Sequence, residues 1–336
     1  MDDVIAEVES IIHPEPVYLV GGSVRDVLLG KHPKDFDFTT PLRPDEIEAR
    51  VRASGKKAHI TGRRFGTIGF KTNEHFVEVT TFRKETYGKT RKPDVEYVDD
   101  ITEDLSRRDF TINAIARRGH HFVDPFGGLK DMEVKLIRSV GNPAERFNED
   151  PLRMLRAARF TAQLGFAVDE HTTHAVTKHG FKILRVSRER LMQEMDRLLT
   201  SDHPDLGLQF LAETDLLKYV LPEMRLQIGY DQHSPHHELR LWEHSVSTVK
   251  LSPNEVNTRW AALLHDVGKP FARQERPGRS IYPDHAIIGA ELVDSIGRRL
   301  RWSNQRLHEV TELVRTHLDD DDNPVADADS AARYTD

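Results

Sequence analysis

The stretch that decides the fold is "LVGGSVRDVLLGKHPKDFDFTT", residues 19–40. It opens with an apolar run that is typical of a buried strand, and Gly21 and Gly22 end this run in a turn. A short helix is predicted over 23–30, and "FDFTT" (36–40) is predicted to form a second strand, because aromatic and β-branched residues favour strands. One strand–turn–helix–strand segment therefore carries two glycines, an arginine and two aspartates.

An acidic pair, Asp35 and Asp37, stands at the start of the second predicted strand. Side chains two residues apart on a strand point to the same face, so both carboxylates can reach one site. Mg²⁺ prefers oxygen ligands and usually combines a few carboxylates with phosphate oxygens. Acidic pairs are also common at turns. The metal interpretation is favoured because Gly22 lets backbone N–H groups approach a phosphate at a helix start and Arg25 can grip it with a forked donor.

Two more predicted strands, "TIGFKTN" (67–73) and "HFVEVTTF" (75–82), follow this segment. Glu78 occupies an alternating position in the second strand, so it is a candidate third carboxylate of the same site. A glutamate on the solvated face of a strand fits the same alternation equally well. The first part of the chain therefore predicts a mixed unit of short strands and helices.

Arginines are concentrated in "SRRDFTINAIA" (106–116), ahead of or within a short helical run, and in "NEDPLRMLRAARF" (148–160), which is a predicted helix. Asp150 and Arg153 place hydrogen-bond acceptors beside a donor fork. Cytosine and adenine both present an amino donor beside a ring-nitrogen acceptor, which this pair matches. Uracil and guanine would leave a buried polar group unpaired, at about 1–3 kcal/mol. An ordinary surface ion pair on an amphipathic helix is the alternative.

Composition limits the classes of protein that the chain can represent. Its 336 residues suffice for two or three domains, and no run of about 18 apolar residues or N-terminal signal peptide is visible, so no membrane association is expected. The absence of cysteine excludes disulfides and thiolate metal sites and suits the reducing cytoplasm. A formal net charge of −7 argues against bulk electrostatic coating of nucleic acid, so an RNA partner requires local basic patches.

These motifs occur in the order seen in a known family. The resemblance is carried by "VGGSVRDVLLGKHPKDFDFTT", "GTIGF", "VEVTTFR", "LSRRDFTINAIA", "DPFGG", "RFNEDPLRMLRAARF" and "VSRERLMQEM". The chain resembles the class II tRNA nucleotidyltransferases and bacterial poly(A) polymerases from residue 17 to about 222, and then an HD-type domain. The resemblance implies an α+β fold: a nucleotidyltransferase head with a polymerase β-like mixed sheet (1–138), an all-α nucleotide-selecting and RNA-binding neck (139–222) and an HD-type helical domain (223–336).

The resemblance also implies an activity, which is the addition of CCA to tRNA 3′ ends from CTP and ATP without a nucleic-acid template, by nucleotidyl transfer with two Mg²⁺ ions. Asp35 and Asp37 match the catalytic, metal-binding pair of the family. Two arginines, Arg156 and Arg159, continue the three-residue spacing that begins at Arg153. The positions that match the nucleotide-binding residues of the family are Gly22, Arg25, Arg108, Asp150, Arg153, Arg156 and Arg159.

Three other functions fit parts of the sequence. Poly(A) polymerases share the same motifs, but "GRRFGTIGF" (62–70) looks more like the CCA-adding version, and the acidic net charge also favours a compact tRNA binder. An HD phosphohydrolase with an inactive head and a non-enzymatic RNA-binding module are the other two. The intact acidic pair with its glycine and arginine partners speaks against both of these.

The second half of the chain carries a histidine constellation that resembles HD-domain phosphohydrolases, in "WEHSV", "LLHDVGKP" and "DHAIIGA". Imidazole and carboxylate ligands suit a divalent transition metal that lowers the pKa of bound water for attack on phosphate. The candidate ligands are His244, His265, Asp266 and His285. We expect His317 or one of Asp319–Asp322 to complete the site. The resemblance implies hydrolysis of phosphodiesters or phosphomonoesters, such as 2′,3′-cyclic phosphates; a degenerate domain kept for packing and tRNA contact is the alternative.

Two expectations concern the remainder of this half. His233, His236 and His237 are predicted to be solvated loop residues rather than ligands. The closing segment "DSAARYTD" resembles the beginning of a region that continues much further in the family, whereas here the sequence stops at Asp336. The helical tail that would embrace the tRNA body is therefore expected to be shortened, with consequences for RNA affinity rather than for the chemistry.

Overall fold

The computed structural model describes residues 2–33, 35–73, 75–86, 94–233, 239–318 and 322–333. The chain divides into two compact units, Met1–Glu149 and Asp150–Asp336. The first contains a mixed sheet and the second is largely helical, which confirms the predicted α+β class. None of the described helices combines the length and the hydropathy that a bilayer crossing requires.

The N-terminal unit is built from short elements, because turn-forming residues interrupt its apolar runs. Its strands are β1 (Tyr18–Val20), β2 (Phe36–Thr40), β3 (Thr67–Lys71), β4 (Phe76–Thr81), β5 (Arg83–Thr86), β6 (Asp94–Tyr97), β7 (Ala116–Arg118), β8 (His121–Val123) and β9 (Leu136–Ile137). Its helices are α1 (Asp2–Ile12), α2 (Gly22–Leu28), α3 (Pro44–Ala53), α4 (Ile101–Ser106), α5 (Gly128–Glu133) and α6 (Pro143–Glu149), with 3-10 turns at Arg63–Phe65 and Thr111–Asn113.

The main sheet of this unit has six strands in the order β3-β4-β2-β1-β7-β8. Its neighbours pair antiparallel except β2 and β4, which are parallel. Strand β2 occupies the predicted residues, and its side chains alternate: Phe36 and Phe38 are buried while Asp37 is exposed. In the parallel register Asp37 lies beside Glu78 of β4. The sheet therefore presents Asp37 and Glu78 on the face opposite to Phe36 and Phe38.

The C-terminal unit is helical because its apolar residues recur at three- and four-residue spacings. Its helices are α7 (Leu152–Leu164), α8 (Glu170–His179), α9 (Arg188–Leu199), α10 (Pro204–Glu213), α11 (Leu217–Val220), α12 (Leu241–Leu251), α13 (Val256–Leu264), α14 (Lys269–Ala272), α15 (His285–Leu300), α16 (Asn304–Arg315) and α17 (Pro324–Ala332). It also contains the short strands β10 (Ala167–Val168), β11 (Gln274–Arg276) and β12 (Arg279–Ile281), and 3-10 turns at Gly180–Arg185 and Pro222–Gln227.

Two groups of packed helices within this unit position the candidate residues. Helix α7 packs on α9 and α10, which places its arginines against α9. Further along the chain, α12 packs against α13 and α17, while α16 packs against α13 and α15. The histidines and acids of the second half are carried by this latter group or by the turns that end its helices.

Candidate active site and candidate metal centre

The acidic pair lies on one face of the sheet, as the sequence predicts. Asp35 directly precedes β2, and both Asp35 and Asp37 are exposed, whereas Phe36 between them is buried. Glu78 is exposed as well and is the neighbour of Asp37 in the register of β2 and β4. The site therefore presents three carboxylates. The third is Glu78, for which the sequence fits both a metal ligand and a solvated strand glutamate.

The electrostatic environment of this face disfavours three ionised carboxylates that have no cation between them. Although Asp37 is exposed on one side, burial by the surrounding protein raises its pKa, the Arg108 guanidinium opposes this shift and the Asp35 carboxylate adds to it. Partial burial, followed by repulsion from Asp37 and Asp35, raises the pKa of Glu78. A divalent cation would relieve this repulsion, and carboxylate oxygens are the donors that Mg²⁺ prefers. The donor set thus fits the metal implied by the sequence.

Ser23 ties the start of α2 to the acidic pair. Its hydroxyl donates to the carbonyl oxygen of Asp35 at 2.9 Å and accepts from the N–H of Asp37 at 3.1 Å. The residue is buried. One side chain therefore holds the peptide units on both sides of Phe36. The sequence does not assign these two hydrogen bonds, and the only signal for them is the position of Ser23 directly after the glycine pair.

In the glycine turn, the backbone comes closest to an arginine side chain at Gly21. Its backbone has φ 68° and ψ −135°, a conformation that is essentially restricted to glycine. A Cβ at this position would lie 2.9 Å from Nη1 of Arg108. At Gly22 an added Cβ would instead make an ordinary contact of 3.5 Å with Nη2 of Arg25. The turn thus brings backbone over the Arg108 guanidinium, one residue earlier than the position matched by the resemblance.

The two arginines of this region are anchored at Asn113. Arg25 is buried, donates from Nη1 to Oδ1 of Asn113 at 2.8 Å, and donates from Nε and Nη2 to Oδ1 of Asp26. Arg108 donates from Nη1 to the carbonyl oxygen of Asn113 at 3.5 Å and from Nη2 to Asp104 at 3.4 Å. Burial lowers the pKa of Arg108, while the Asp104 carboxylate opposes that shift. Asn113 therefore fixes both guanidiniums next to the glycine turn.

In the C-terminal unit, Asp150 is held by an arginine that the sequence analysis did not name. Arg190 of α9 donates to both of its carboxylate oxygens, at 3.3 and 2.7 Å. Arg153, three residues after Asp150, is buried at the start of α7. The forked contact from Arg190 therefore sets the orientation of the Asp150 carboxylate.

The other two arginines of α7 converge on a buried acid of α9. Arg159 donates from Nε to Oε2 of Glu194, and its guanidinium carbon lies 3.9 Å from the centre of the Phe160 ring. Nη1 of Arg156 lies 3.6 Å from Oε1 of Glu194. Glu194 is only 4 % exposed. These contacts fasten α7 to α9 and orient both arginines, so both have a structural role.

The predicted histidine constellation assembles into one buried cluster. Nε2 of His244 and Nε2 of His265 lie 3.3 Å apart, and Nε2 of His265 is 3.1 Å from Oδ2 of Asp266. Potential ligand atoms of His244, His265 and Asp266 all lie within 4.8 Å of one another. Asp266, His285 and His317 form a second group of the same kind. Among the described residues, groups of three such atoms occur at these two places, and the acidic face of the N-terminal unit is not one of them.

One member of the cluster has no local sequence signal. Asp329 of α17 places Oδ1 2.8 Å from Nε2 of His244 and 3.6 Å from Nε2 of His265. It follows His244 by 85 residues, so no spacing within one element relates the two. His317, one of the residues expected to complete the site, is in the cluster. Asp319, Asp320 and Asp321 lie outside the described residues, as do His236 and His237, and His233 is exposed.

The charges of the cluster are strongly coupled. Burial alone would lower the pKa of His265, but the carboxylates of Asp266 and Asp329 raise it to about 10. Burial, followed by repulsion from His265, lowers the pKa of His317 to about 4. Burial also lowers the pKa of His244. Imidazoles around carboxylates are the donor set that divalent transition metals prefer, so the residues fit the metal that the sequence predicts. His244 and His317 are neutral at pH 7, whereas a bound metal would have to replace the proton that His265 carries.

A glycine permits the close packing on which this cluster depends. An added Cβ at Gly268 would lie 2.2 Å from the carbonyl oxygen of His285 and 2.7 Å from the amide nitrogen of Gly289. The turn that follows Asp266 therefore lies directly against the first turns of α15. This contact brings Asp266 and His285 together.

A polar cavity opens beside the cluster. Its volume is about 530 Å³, and its lining includes His317, Asp329 and Arg333. Nη2 of Arg333 donates to Oδ2 of Asp329 at 2.6 Å. A small anionic ligand in this cavity would thus lie beside His317 of the second group, beside Asp329, which contacts His244 of the first, and beside a guanidinium.

Models of three protein domains match the chain in order. They are the poly(A) polymerase head domain at residues 17–138, the "Probable RNA and SrmB- binding site of polymerase A" at 165–227 and the HD domain at 237–335. The mixed sheet with its acidic pair, followed by helices and a histidine cluster, thus defines a nucleotidyltransferase-type chain with an appended HD domain.

Individual relatives indicate which family within this class the chain is similar to. The CCA-adding enzyme of Geobacillus thermodenitrificans is 36% identical over 305 residues, covering 88% of this chain and 70% of the relative. That of Leuconostoc citreum is 40% identical over 248 residues, covering 71% of this chain and 60% of the relative. A crystal structure of the Bacillus stearothermophilus CCA-adding enzyme in complex with CTP is similar with a TM-score of 0.68 and 27% identity, over 98% of this chain and 77% of that one.

The chain belongs to the CCA-adding enzyme family. Its matches to several curated relatives span about half to three fifths of their length, from 51% to 61% in four of them.

Proposed function

We propose that the chain adds C and A to the 3′ ends of tRNA from CTP and ATP without a nucleic-acid template. The observation that carries this proposal is the acidic pair at the start of β2, which is held by Ser23 and whose Asp37 interacts with the Arg108 guanidinium next to Gly21. Family membership supports the same activity. In the reaction the tRNA 3′ oxygen bonds to the α-phosphorus of the nucleotide, the bond from that phosphorus to pyrophosphate breaks, and the hydroxyl proton is released.

Each part of this chemistry has candidate residues. Asp35 and Asp37 would hold Mg²⁺, which when bound favours the ionised 3′ hydroxyl and neutralises charge on the leaving pyrophosphate. Gly22, Arg25 and Arg108 are proposed to hold the triphosphate or ribose. For the base, Asp150 accepts from the exocyclic amino group and Arg153 donates to the ring nitrogen, as their hydrogen-bonding capacity allows. Arg156 and Arg159 are proposed to make further nucleotide contacts.

These roles accompany a proposed division of the chain. The nucleotidyltransferase head is assigned to 1–138, the nucleotide-selecting and RNA-binding neck to 139–222 and the HD-type domain to 223–336. Limited proteolysis followed by mass spectrometry tests it, since cleavage near residues 138 and 222 is expected and cleavage elsewhere only would contradict these boundaries.

The test uses end-labelled tRNA that lacks its last three nucleotides, incubated with Mg²⁺ and resolved at single-nucleotide length. We expect growth by two nucleotides with CTP and by three with CTP and ATP. Asp35→Ala should lower the rate by at least about a thousandfold, because a bound metal contributes several kcal/mol to transition-state stabilisation. Asp99→Ala is the matched control, since the Asp99 side chain is 82% exposed and pairs with Arg43. Long ladders with ATP alone would identify a poly(A) polymerase, and no growth would contradict the proposal.

We propose a second activity for the C-terminal unit, the metal-dependent hydrolysis of phosphate esters. It rests on the buried convergence of His244, His265 and Asp266, with Asp329 2.8 Å from His244. A divalent transition metal held there would lower the pKa of a bound water. Hydrolysis of a 2′,3′-cyclic nucleotide in the presence of Ni²⁺, Co²⁺ or Mn²⁺ should be lost in His265→Ala and kept in Asp35→Ala. Equal hydrolysis by both variants would contradict this assignment.

A further inference from the structure

Helix α9 contacts different neighbours on two of its faces. Arg190 and Glu194 are four residues apart, so they lie on one face, where they contact Asp150 and the arginines of α7. Asp196 stands six residues after Arg190, which places it about 120° away around the helix. The side chain of Asp196 therefore extends toward another part of the C-terminal unit.

Two helices of the region that matches the HD domain bind Asp196. Nε1 of Trp260 in α13 donates to its Oδ1 at 2.7 Å, and Nη1 of Arg306 in α16 donates to its Oδ1 and Oδ2 at 3.2 and 3.0 Å. Arg306 is itself oriented, since its Nε donates to Oδ1 of Asn257 at 3.1 Å. One carboxylate thus joins the three helices α9, α13 and α16.

The C-terminal end of α9 is held by α13 as well. Arg259, which precedes Trp260, is buried and donates from Nη1 to the carbonyl oxygens of Leu199 and Ser201, at 2.7 and 3.2 Å. The last carbonyl groups of a helix have no partner within the helix, and they form the negative end of its dipole. A guanidinium at this end therefore satisfies both the hydrogen bonds and the charge.

The contacts at Asp196 set the rotation of α9 about its axis. Apolar contacts are not directional, so they allow a helix to turn slightly on its neighbours. Hydrogen bonds weaken steeply when their angles depart from linearity, and those from Trp260 and Arg306 come from two separate helices. A turn of α9 would break them and would also displace Arg190, whose guanidinium donates to both oxygens of Asp150.

We propose that Asp196, Trp260 and Arg306 are positioning residues for base selection, because through α9 they hold Arg190 against Asp150. This inference rests on the proposed function, in which Asp150 accepts from the amino group of cytosine or adenine. It gives the HD-domain region a part in nucleotide addition that depends on its packed helices rather than on the histidine cluster. A displacement of about 1 Å that originates far from the reacting atoms can lower a rate by about 100-fold, so the loss of one anchor is measurable.

The test measures kcat/KM for CTP and for UTP on tRNA that lacks its last three nucleotides. Arg306→Met keeps the length of the side chain and removes its donors, and we expect it to lower the preference for CTP by about fivefold. Arg306→Lys restores a donor and should recover most of the preference. Arg315→Met is the matched control, because this exposed arginine of α16 pairs with Glu312 on the same helix, and it should keep the wild-type preference.

A double variant tests the route through Arg190. If Arg306 acts on selectivity by holding Arg190, then Arg190→Ala combined with Arg306→Met should show the preference of Arg190→Ala alone. Additive decreases would overturn this route. Circular dichroism and thermal unfolding establish that each variant is folded. Trp260→Phe keeps a buried ring and removes the Nε1 donor, so it replaces Arg306→Met if that variant does not fold.

Three further results would contradict the inference. An unchanged preference in folded Arg306→Met and Trp260→Phe, with C addition by the wild type, would overturn it and leave the proposed function standing. Equal decreases for CTP and UTP would overturn it by showing that the contacts only hold the unit together. No incorporation of CTP by the wild type would overturn both the inference and the proposed function.

Discussion

A single hydroxyl connects the two peptide units that carry the acidic pair. Ser23 donates to the carbonyl oxygen of Asp35 and accepts from the N–H of Asp37, and it lies in the first turn of α2. The carboxylates themselves extend toward solvent, so their separation depends on the backbone that this side chain holds. Ser23 is therefore a positioning residue for the proposed metal site.

Ser23→Ala should reduce nucleotide incorporation by about 10–100-fold, the usual effect of losing a group that orients metal ligands. The decrease should weaken as the Mg²⁺ concentration rises, because the ligands remain but are less well ordered. Ser23→Thr keeps the hydroxyl and should recover most of the rate. Ser54→Ala, which removes a comparable hydroxyl bond to Val51 at the end of α3, should leave incorporation unchanged. A rate that falls without any change in Mg²⁺ dependence would show that the role is only structural.

Asp37→Asn should stabilise the protein in the absence of Mg²⁺ while abolishing incorporation. The pKa of Asp37 is raised in the folded state, so its favourable contribution is present below the unfolded pKa and is lost as the pH rises through the folded value. At pH 7 the ionised carboxylate therefore destabilises the fold. Urea unfolding at pH 7 should show a higher midpoint for the variant, and added Mg²⁺ should raise the midpoint of the wild type only. A lower midpoint in the variant would contradict this electrostatic account.

Between elements, contacts from α9 orient Asp150 and the arginines of α7. Arg190 orients Asp150, and Glu194 receives Arg156 and Arg159. If Asp150 selects the base, then the helix that aims it contributes to selectivity without touching the nucleotide.

Arg190→Ala should therefore lower the preference for CTP over UTP, by about tenfold or about 1.4 kcal/mol. The effect should appear as faster UTP incorporation relative to CTP, since Asp150 would no longer be fixed in one orientation. Arg197→Ala removes an exposed arginine from the same helix and should keep the wild-type preference. A uniform loss of both rates would instead indicate a role in holding the unit together.

Local patterns were most informative where one element carries the signal. Strand β2 coincides with the predicted residues 36–40, and the alternation that places Asp35 and Asp37 on one face is visible in the sequence. The helical run expected within 106–116 is a single 3-10 turn, Thr111–Asn113. The residues after it enter β7, because Arg117 and Ala116 pair with β1 almost a hundred residues earlier in the chain. A pairing between strands so far apart in the chain cannot be predicted from a short stretch of sequence.

At the scale of the whole molecule, the two proposed centres use different chemistry. The N-terminal site offers exposed carboxylates, which suit Mg²⁺, whereas the C-terminal cluster offers buried imidazoles, which suit transition metals. The contact between His244 and Asp329 also belongs to this scale, since it joins residues 85 positions apart. The sequence motif predicted the centre, but its carboxylate from α17 became visible only in the packed helices.

Removal of transition metals should therefore separate the two activities. After chelation and dialysis into buffer with Mg²⁺ alone, tRNA elongation should remain at the wild-type rate while hydrolysis of cyclic phosphates disappears. Adding Ni²⁺ or Mn²⁺ should restore hydrolysis. Loss of elongation that only a transition metal can restore would show that the head does not work with Mg²⁺ alone.

The tight contact at Gly268 has a consequence for judging which related chains keep a working histidine cluster in the C-terminal unit. A methyl group at this position would act as a wedge between the turn after Asp266 and the beginning of α15. A chain can therefore retain every histidine and aspartate of the cluster and still lose the centre through one change at a residue that binds nothing. A comparison of the ligand residues alone would classify such a chain as intact, whereas the residue at position 268 would show that the metal centre is lost.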